Sequence, residues 1–421
     1  MPPPNIVLIM ADDLGYGDLS CFGSEQIATP SIDALADRGV TLRDYHSSGP
    51  VCTPTRAALM TGRYQQRSGL EGVILVKGPT RQTGLDAEQN HCLVRSLGQA
   101  GYATGIFGKW HLGYRTEFNP VHHGFDRFRG YVSGNVDYHS HVDNSGVPDW
   151  WDNLDKIEEQ GYVTDLVSRG AVDFIKQNRD RPFFCFVSHE APHWPYQGRH
   201  DPPERFPGGK PGKDFESWGA RPDRQTAYKE MVEAMDEGVG WIVQELRRLD
   251  LEGNTLVLFC SDNGATSEVG SNGPLRGAKG DVFEGGHRVP AVAAWPGRIA
   301  PRSVSDETVL AMDLLPTFLT LTRQRVSTPQ PLDGIDVSPA LLDQRALRQR
   351  DVFWRYHDKA AARRGPWKLV RDGDGSRLFN LDDDLAEQND RADDEPDTTR
   401  ALQAAREAWE QDVTRGVTMR A

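Results

Sequence analysis

Short unbroken apolar runs that each give way to a polar or glycine-bearing turn constrain this chain most: "NIVLIMADDLGYGD", "YATGIFGKWHLG", "PFFCFVSHEAPH", "NTLVLFCSDNG" and "VPAVAAWPG". Runs this short, with no period-two alternation, are what strands buried on both faces look like. Between them lie helix-like stretches, "PSIDALADRGV", "VTDLVSRGAVDFIKQN" and "YKEMVEAMDEGVGWIVQELRRL", the last with Met231, Met235, Val239, Ile242, Val243 and Leu246 at helical spacing. Buried strands alternating with helices specify an α/β fold with a large mixed, mainly parallel sheet flanked by helices.

At 421 residues the chain exceeds the usual size of a single hydrophobic core, so a large domain with a smaller companion is expected. The α/β pattern occupies residues 1–345. Over residues 346–421, "DVFWRYH", "PWKLVRD" and "SRLFNLD", then the helix-like "TTRALQAAREAWEQDV", read as a small antiparallel sheet with one helix packed on it. Residues 113–155 and 197–225, rich in Gly, Pro, His, Trp and charge, read as loops rather than sheet, and loops that long are usually functional or mobile.

Acids outnumber bases, 61 to 48, for a formal net charge of −13. With no basic block or aromatic-basic interleaving, nucleic acid is excluded as a partner. An anionic substrate would need a locally cationic pocket, helped by a metal, inside this acidic protein. No apolar run is long enough to cross a bilayer, and "MPPPNIVLIM" has neither a cationic start nor a cleavage site. The expected compartment is the periplasm or the exterior if a leader was removed, and the cytoplasm otherwise. Five cysteines are too few and too odd in number for a disulfide framework; Cys185 and Cys260 read as core residues, and Cys21 and Cys92 carry no motif.

In open α/β sheets ligands bind beyond the carboxyl ends of the strands. Four of the apolar runs end in chemically capable residues: Asp12 and Asp13, Lys109 and His111, His189 and His193, Asp262 and Asn263. Singly, each is a common turn or loop residue; together, at one sheet edge, they form a site. Three carboxylates and an amide carbonyl make an oxygen-rich set suited to calcium or magnesium and not to zinc. "HEAPH" matches a zinc-protease pattern, but Pro192 and Pro195 oppose the helix that pattern needs. Cys52, in "CTPTRAALMTGR", could be a small buried hydrophobe at a helix start or a thiolate nucleophile with a histidine base, and neither reading accounts for the oxygen cluster.

Together these segments resemble the formylglycine-dependent sulfatases of the alkaline phosphatase superfamily. The match runs in order from "NIVLIMADDLGYGD" through "CTPTRAALMTGR", "GKWHLG", "APHWP" and "SDNG" to "LRGAKGDVFEGGHRVPAVAAWPG", then weakly into "WKLV" and "LFNL". The resemblance implies an alkaline phosphatase-like fold and an arylsulfatase-like sulfuric ester hydrolase. The implied substrate is a sulfated carbohydrate or other sulfate ester. It implies that Cys52, with Pro54 and Arg56 completing C-x-P-x-R, is oxidised by a formylglycine-generating enzyme to Cα-formylglycine. One hydroxyl of the hydrated aldehyde would attack sulfur and the other would lose its proton to expel sulfate. Asp12, Asp13, Asp262, Asn263 and modified Cys52 would hold Ca2+, with Mg2+ equally compatible with the ligand types. Asp262 would also take the nucleophile's proton, Arg56 and Lys109 would steady the diol, and His111 would assist elimination. His193 and Lys279 would hold sulfate and protonate the leaving oxygen; Lys279 stands out only through the resemblance.

Other residues stand outside this set. Glu284 and Arg288 of "EGGHRVP" read as a structural ion pair. His189 is either a substrate contact or a supporting hydrogen-bond partner. His139, His141, Trp150 and Trp151, in the long stretch containing "DWWDN", are either walls of a subsite for the terminal residue of a sulfated sugar or a loop packed on itself. Two rival functions are a phosphonate monoester or phosphodiester hydrolase of the same fold, and a sulfated-glycan binding protein in which Cys52 is unmodified.

Overall fold

Four of the five apolar runs lie side by side in the computed structural model, which describes residues 2–214, 218–323, 330–373 and 375–420. They are β9 (Thr255–Ser261), β1 (Asn5–Ala11), β8 (Phe183–Ser188) and β4 (Ala103–Lys109), adjacent in that order and all parallel. Their carboxyl ends therefore emerge along one edge. The fifth run, β10 (Ala291–Ala294), is antiparallel to β9, so it ends at the opposite edge. Beyond it β2 (Val40–Leu42) and β11 (Ser303–Ser305) finish one side of the ten-stranded sheet. On the other side β5 (Arg127–Tyr131), parallel to β4, is followed by the short β6 (Trp151–Asp152) and β7 (Asp155–Lys156).

Those last three strands correct the expectation of loop over 113–155. They are five, two and two residues long, and their composition is polar because the edge is held by ion pairs. Arg127 donates to Asp152 at 2.7 Å and Arg129 meets Glu159 at 2.7 Å, so charged residues alternate with the buried Phe128 and Tyr131 and no unbroken apolar run marks the strand. Residues 197–225 carry no strand, and no helix before α5 opens at Arg224, among the described residues.

Period-two alternation along the buried strands divides the core in two. Ile6, Leu8 and Met10 face α2 (Cys52–Thr61), α3 (Leu93–Gln99) and α7 (Leu314–Leu321), while Val7, Ile9 and Ala11 face α1 (Pro30–Asp37), α4 (Val163–Gln177) and α5 (Arg224–Arg248). A parallel pair, β3 (Tyr45–His46) with β12 (Val309–Leu310), and the short α6 (Glu284–His287) and α8 (Ser338–Asp343) complete the larger part. The C-terminal chain forms the antiparallel meander β13 (Asp351–Tyr356), β14 (Lys359–Arg364), β15 (Trp367–Asp372) and β16 (Gly375–Asn380), with α9 (Pro396–Val413) across one face. Successive β13 residues point opposite ways. Phe353 stacks on Trp409 of α9 at 5.0 Å, and Trp354 stacks on His287 of α6 at 4.0 Å. The meander is thus sandwiched between its own helix and the large domain.

Candidate active site

The parallel register brings Asp12 and Asp13 after β1, Lys109 and His111 at the end of β4, His193 after β8, and Asp262 and Asn263 after β9 into one cluster. Asp13 and His111 turn the chain in the left-handed region, at φ 64° and 56°, a conformation that Asp and His tolerate better than most residues. Cys52 is the first residue of α2 and is buried. Its side chain sits at the positive end of the helix, where developing negative charge is favoured.

Charge pairing organises the cluster. Lys109 Nζ donates to Asp12 Oδ2, and Lys279 Nζ reaches Asp13 Oδ2 at 2.6 Å. Arg56 donates through Nε and Nη2 to Asp262 Oδ2 at 3.1 and 2.9 Å, and its Nη1 bonds Ser188 Oγ at 2.6 Å. Three acids and three cations leave the protein part neutral. Burial pushes the Cys52 thiol up despite nearby Lys109 and Lys279, so the cysteine is a poor thiolate as it stands. Burial, with Asp12 beside it, also raises Asp262.

The donor set fits a hard divalent cation on a further ground. Asp12 Oδ1 and Asn263 Oδ1 are buried acceptors with no hydrogen-bond partner. Asn263 spends its amide donors on Asp13 Oδ1 at 2.7 Å and the Gly264 carbonyl at 3.0 Å, which fixes its oxygen as the outward-facing atom. Single oxygens or the thiol of Asp12, Cys52 and Asp262 lie within 4.8 Å of one another. Orphaned buried oxygens are costly unless something satisfies them. A divalent cation there would leave the site doubly positive, which resolves how an acidic protein could hold a sulfate group.

The two histidines are locked in opposite tautomers by backbone carbonyls. His111 Nε2 lies 2.9 Å from the Ile74 carbonyl and so carries the proton, leaving Nδ1 a buried, unpartnered lone pair. His193 Nδ1 lies 2.6 Å from the Trp194 carbonyl, leaving Nε2 toward Asp13 at 3.7 Å. Burial, then Lys109 for His111 and Lys279 for His193, holds both well below the usual histidine range. The His111 ring fits because residue 134 is glycine: a Cβ there would stand 2.8 Å from the ring.

A cavity of about 330 Å³ opens over Cys52, His111, His193 and Lys279. The expected walls do not line it, and the loop-packing alternative holds for them. His141 stacks on Trp150 at 4.7 Å and bonds the Gly161 carbonyl; Trp150 is buried and donates to Glu159. His139 bonds the Gly198 carbonyl, and Trp151 donates to Asp149. His189 is fully buried, beside Ser168 and Gly238, with neither ring nitrogen bonded; residues 189–193 form no helix, so the zinc-protease geometry is absent. The cavity is lined instead by residues 73–77, Tyr114, Gly134, Asn135 and Trp194. One signal for this wall was present in the sequence: "GVILV" is an apolar run that joins no strand, and its Leu75 stays 57% exposed. Glu284 and Arg288 do form an ion pair, at 3.2 Å, away from this cavity.

Comparison with known proteins agrees with this architecture. The sulfatase family model matches residues 4–324, and the model of the N-sulphoglucosamine sulphohydrolase C-terminal region matches residues 278–405. N-acetylgalactosamine-6-sulfatase of Sus scrofa is 33% identical over 87% of this chain and 71% of its own length. Arylsulfatase A of Homo sapiens is 35% identical over 87% and 74%. The crystal structure of Ps i-CgsB in complex with k-i-k-neocarrahexaose superposes with a TM-score of 0.89 at 30% identity, over 99% of this chain and 94% of that one. A strand-end cluster of this chemistry on this sheet, with relatives of this similarity over most of the chain, places the protein in the sulfatase family, as an enzyme of sulfate ester hydrolysis.

Proposed function

We propose that this sulfatase removes sulfate from a sulfated carbohydrate, a galactose-type ring, using a Cα-formylglycine made from Cys52 by a formylglycine-generating enzyme. The observation that carries the reading is the pair of orphaned oxygens, Asp12 Oδ1 and Asn263 Oδ1, beside Cys52 at the floor of a cavity ringed by lysine and histidine. The substrate class rests on the relatives, one named for N-acetylgalactosamine and one solved with a neocarrahexaose.

Asp12, Asp13, Asp262 and Asn263, with modified Cys52, would hold Ca2+ or Mg2+. Such an ion supplies positive charge against the sulfate and acidifies a bound hydroxyl. The hydrated aldehyde would offer one hydroxyl as nucleophile toward sulfur and a second whose deprotonation would release sulfate and restore the aldehyde. The chain's own groups do the rest. Arg56 fixes Asp262 so that its other oxygen can take a proton from the attacking hydroxyl. Lys109, buried against Asp12, would steady the diol with Arg56, and Lys279 on the cavity wall would face the negative charge growing on the sulfuryl oxygens. Lys279, an ammonium on the cavity wall, would protonate the leaving oxygen, while His193, with its Nδ1 proton committed to the Trp194 carbonyl, presents a bare Nε2 that would share that role only after taking up a second proton when the anionic substrate binds. His111 has its bare Nδ1 available for the proton lost on elimination. The raised thiol of unmodified Cys52 disfavours a cysteine-thiolate mechanism.

Peptide mass spectrometry of Cys52, in protein made with the modifying enzyme, tests the proposal. An aldehyde in place of the thiol, carbonyl-reactive and resistant to alkylation, is expected, with turnover proportional to the converted fraction. Full activity in a wholly alkylatable Cys52 protein would overturn it.

A further inference from the structure

The C-terminal meander meets the turn that carries Lys279 through one hairpin. Tyr356, ending β13, and Lys359, opening β14, pair directly across the turn of His357 and Asp358, with His357 at φ 55°. Directly opposed residues of an antiparallel pair project from the same face of the sheet. Lys359 uses that face to grip Asp281, Nζ to Oδ1 at 2.6 Å, and Asp281 Oδ2 accepts from the Ala278 amide at 3.2 Å. The hairpin is thereby fastened to the turn that carries Lys279, a turn also pinned by the Gly280 amide on the Pro50 carbonyl at 2.9 Å, just before Cys52.

Tyr356 leans over the same turn. Its ring comes within 3.7 Å of where a Cβ on Gly280 would stand. Its phenol is raised by burial first and then by Cys52, with Lys279 acting the other way, so it lies within electrostatic reach of both. The ring is half-buried and packs on exposed His357, centroids 4.1 Å apart. None of the sulfate chemistry above needs either side chain.

We propose that Tyr356, with His357 beside it, is a specificity residue that holds the sugar ring of the sulfate ester by face-on contact, so that the C-terminal meander completes the substrate site. An aromatic ring with a hydroxyl at its edge offers the apolar face and the single hydrogen bond that a pyranose can use. The proposal rests on the sulfate lying over Cys52. Tyr356 then meets the sugar and not the sulfate, and the two affinities separate.

The test uses the full-length Cys52→Ala protein, titrated calorimetrically with galactose 6-sulfate and, separately, with inorganic sulfate. Tyr356→Ala in that background is expected to weaken galactose 6-sulfate about tenfold and leave sulfate unchanged, with Tyr356→Phe between the two. In the modified enzyme the same Tyr356→Ala change is expected to raise KM on galactose 6-sulfate about tenfold at constant kcat. Equal weakening of both ligands would make Tyr356 a mere prop for the Lys279 turn, and no weakening of either would place it outside the site; both outcomes overturn the proposal. Turnover persisting in Cys52→Ala would instead overturn the reading of the site itself, before any titration.

Discussion

The molecule holds two buried clusters of paired charges and histidines that differ in one respect. The first is the strand-end cluster, Asp12, Asp13 and Asp262 against Arg56, Lys109 and Lys279. The second joins the large domain to the meander: Asp44, Glu284 and Glu387 against Arg288, Arg363 and Lys368, around His46 and His287. Each has three acids and three cations, and each contains three groups close enough to grip an ion, His46, Glu284 and His287 in the second. Only the first leaves an acceptor such as Asp12 Oδ1 without a partner beside a cavity. In the second, every carboxylate oxygen has a cation or donor against it: Glu284 has Lys368 and Arg288, Asp44 has Arg363 and Thr308, and Glu387 takes the Glu284 amide on Oε2, while its Oε1, which makes no hydrogen bond, still lies 2.9 Å from the Lys368 ammonium.

Its imidazole lone pairs are spent as well. Lys368 Nζ lies 3.2 Å from His287 Nε2, His287 Nδ1 lies 2.9 Å from His46 Nδ1, and His46 Nε2 lies 3.0 Å from Asp44 Oδ1. His287 Nε2 also lies 3.2 Å from the Val282 carbonyl and His46 Nε2 3.2 Å from Arg363 Nη1, so every ring nitrogen has a partner in either tautomer. A cation would have to displace an ammonium that is already there. Proximity of ligand types therefore does not make a metal site; unmet lone pairs do.

The largest expected contrast is in metal and turnover. Asp12→Ala is expected to lose its bound divalent ion and about a thousandfold in kcat, whereas His287→Gln keeps both, read by elemental analysis and by rate per folded molecule. Metal loss from His287→Gln would put an ion in the second cluster and break the comparison. Next in size is stability. Lys368→Met removes the cation that Glu284 and Glu387 share in a fully buried site, and is expected to cost about 3–5 kcal/mol in denaturant unfolding while the remaining folded protein stays active. A cost under about 1 kcal/mol, the scale of an exposed pair, would mean the second cluster is not closed.

The same contrast explains what the sequence made legible. Asp12, Lys109, His193 and Asp262 each follow an apolar run, so topology alone brings their ends together, and the mainly parallel sheet was readable for the same reason. Lys279 follows no strand and stood out only through family resemblance. The cavity wall at 73–77 and Tyr356 of the meander belong to segments that meet in space with no shared pattern in sequence. The strands β5 to β7 were hidden because they are short and the charged residues of their ion pairs interrupt the apolar pattern, leaving Phe128 and Tyr131 as isolated core residues of β5. Trp150 and His141 have the composition of a sugar platform yet face each other, a choice that packing makes and composition does not record.

The smallest expected effect concerns pH. Burial holds His46 below the ordinary histidine value of 6.5, and burial with Lys368 does the same more strongly for His287. Around them stand Asp44, Glu284, Arg288, Arg363 and Lys368, already paired with one another, so a proton added to either ring has no free acid to meet. Above the unfolded-chain value both states are neutral and nothing is lost. As pH falls below it, the unfolded chain takes up protons that the folded chain refuses, so stability declines by about 1.4 kcal/mol per pH unit for each such histidine. Other buried histidines add the same sign, and the comparison that isolates this cluster is wild type against His287→Gln, unfolded in denaturant at pH 7.5 and 5.5. The variant is expected to lose less stability between those values, by about 1 to 2 kcal/mol. An equal loss would mean that His287 titrates alike in both states, and the closed, fully paired reading of the second cluster would then be wrong.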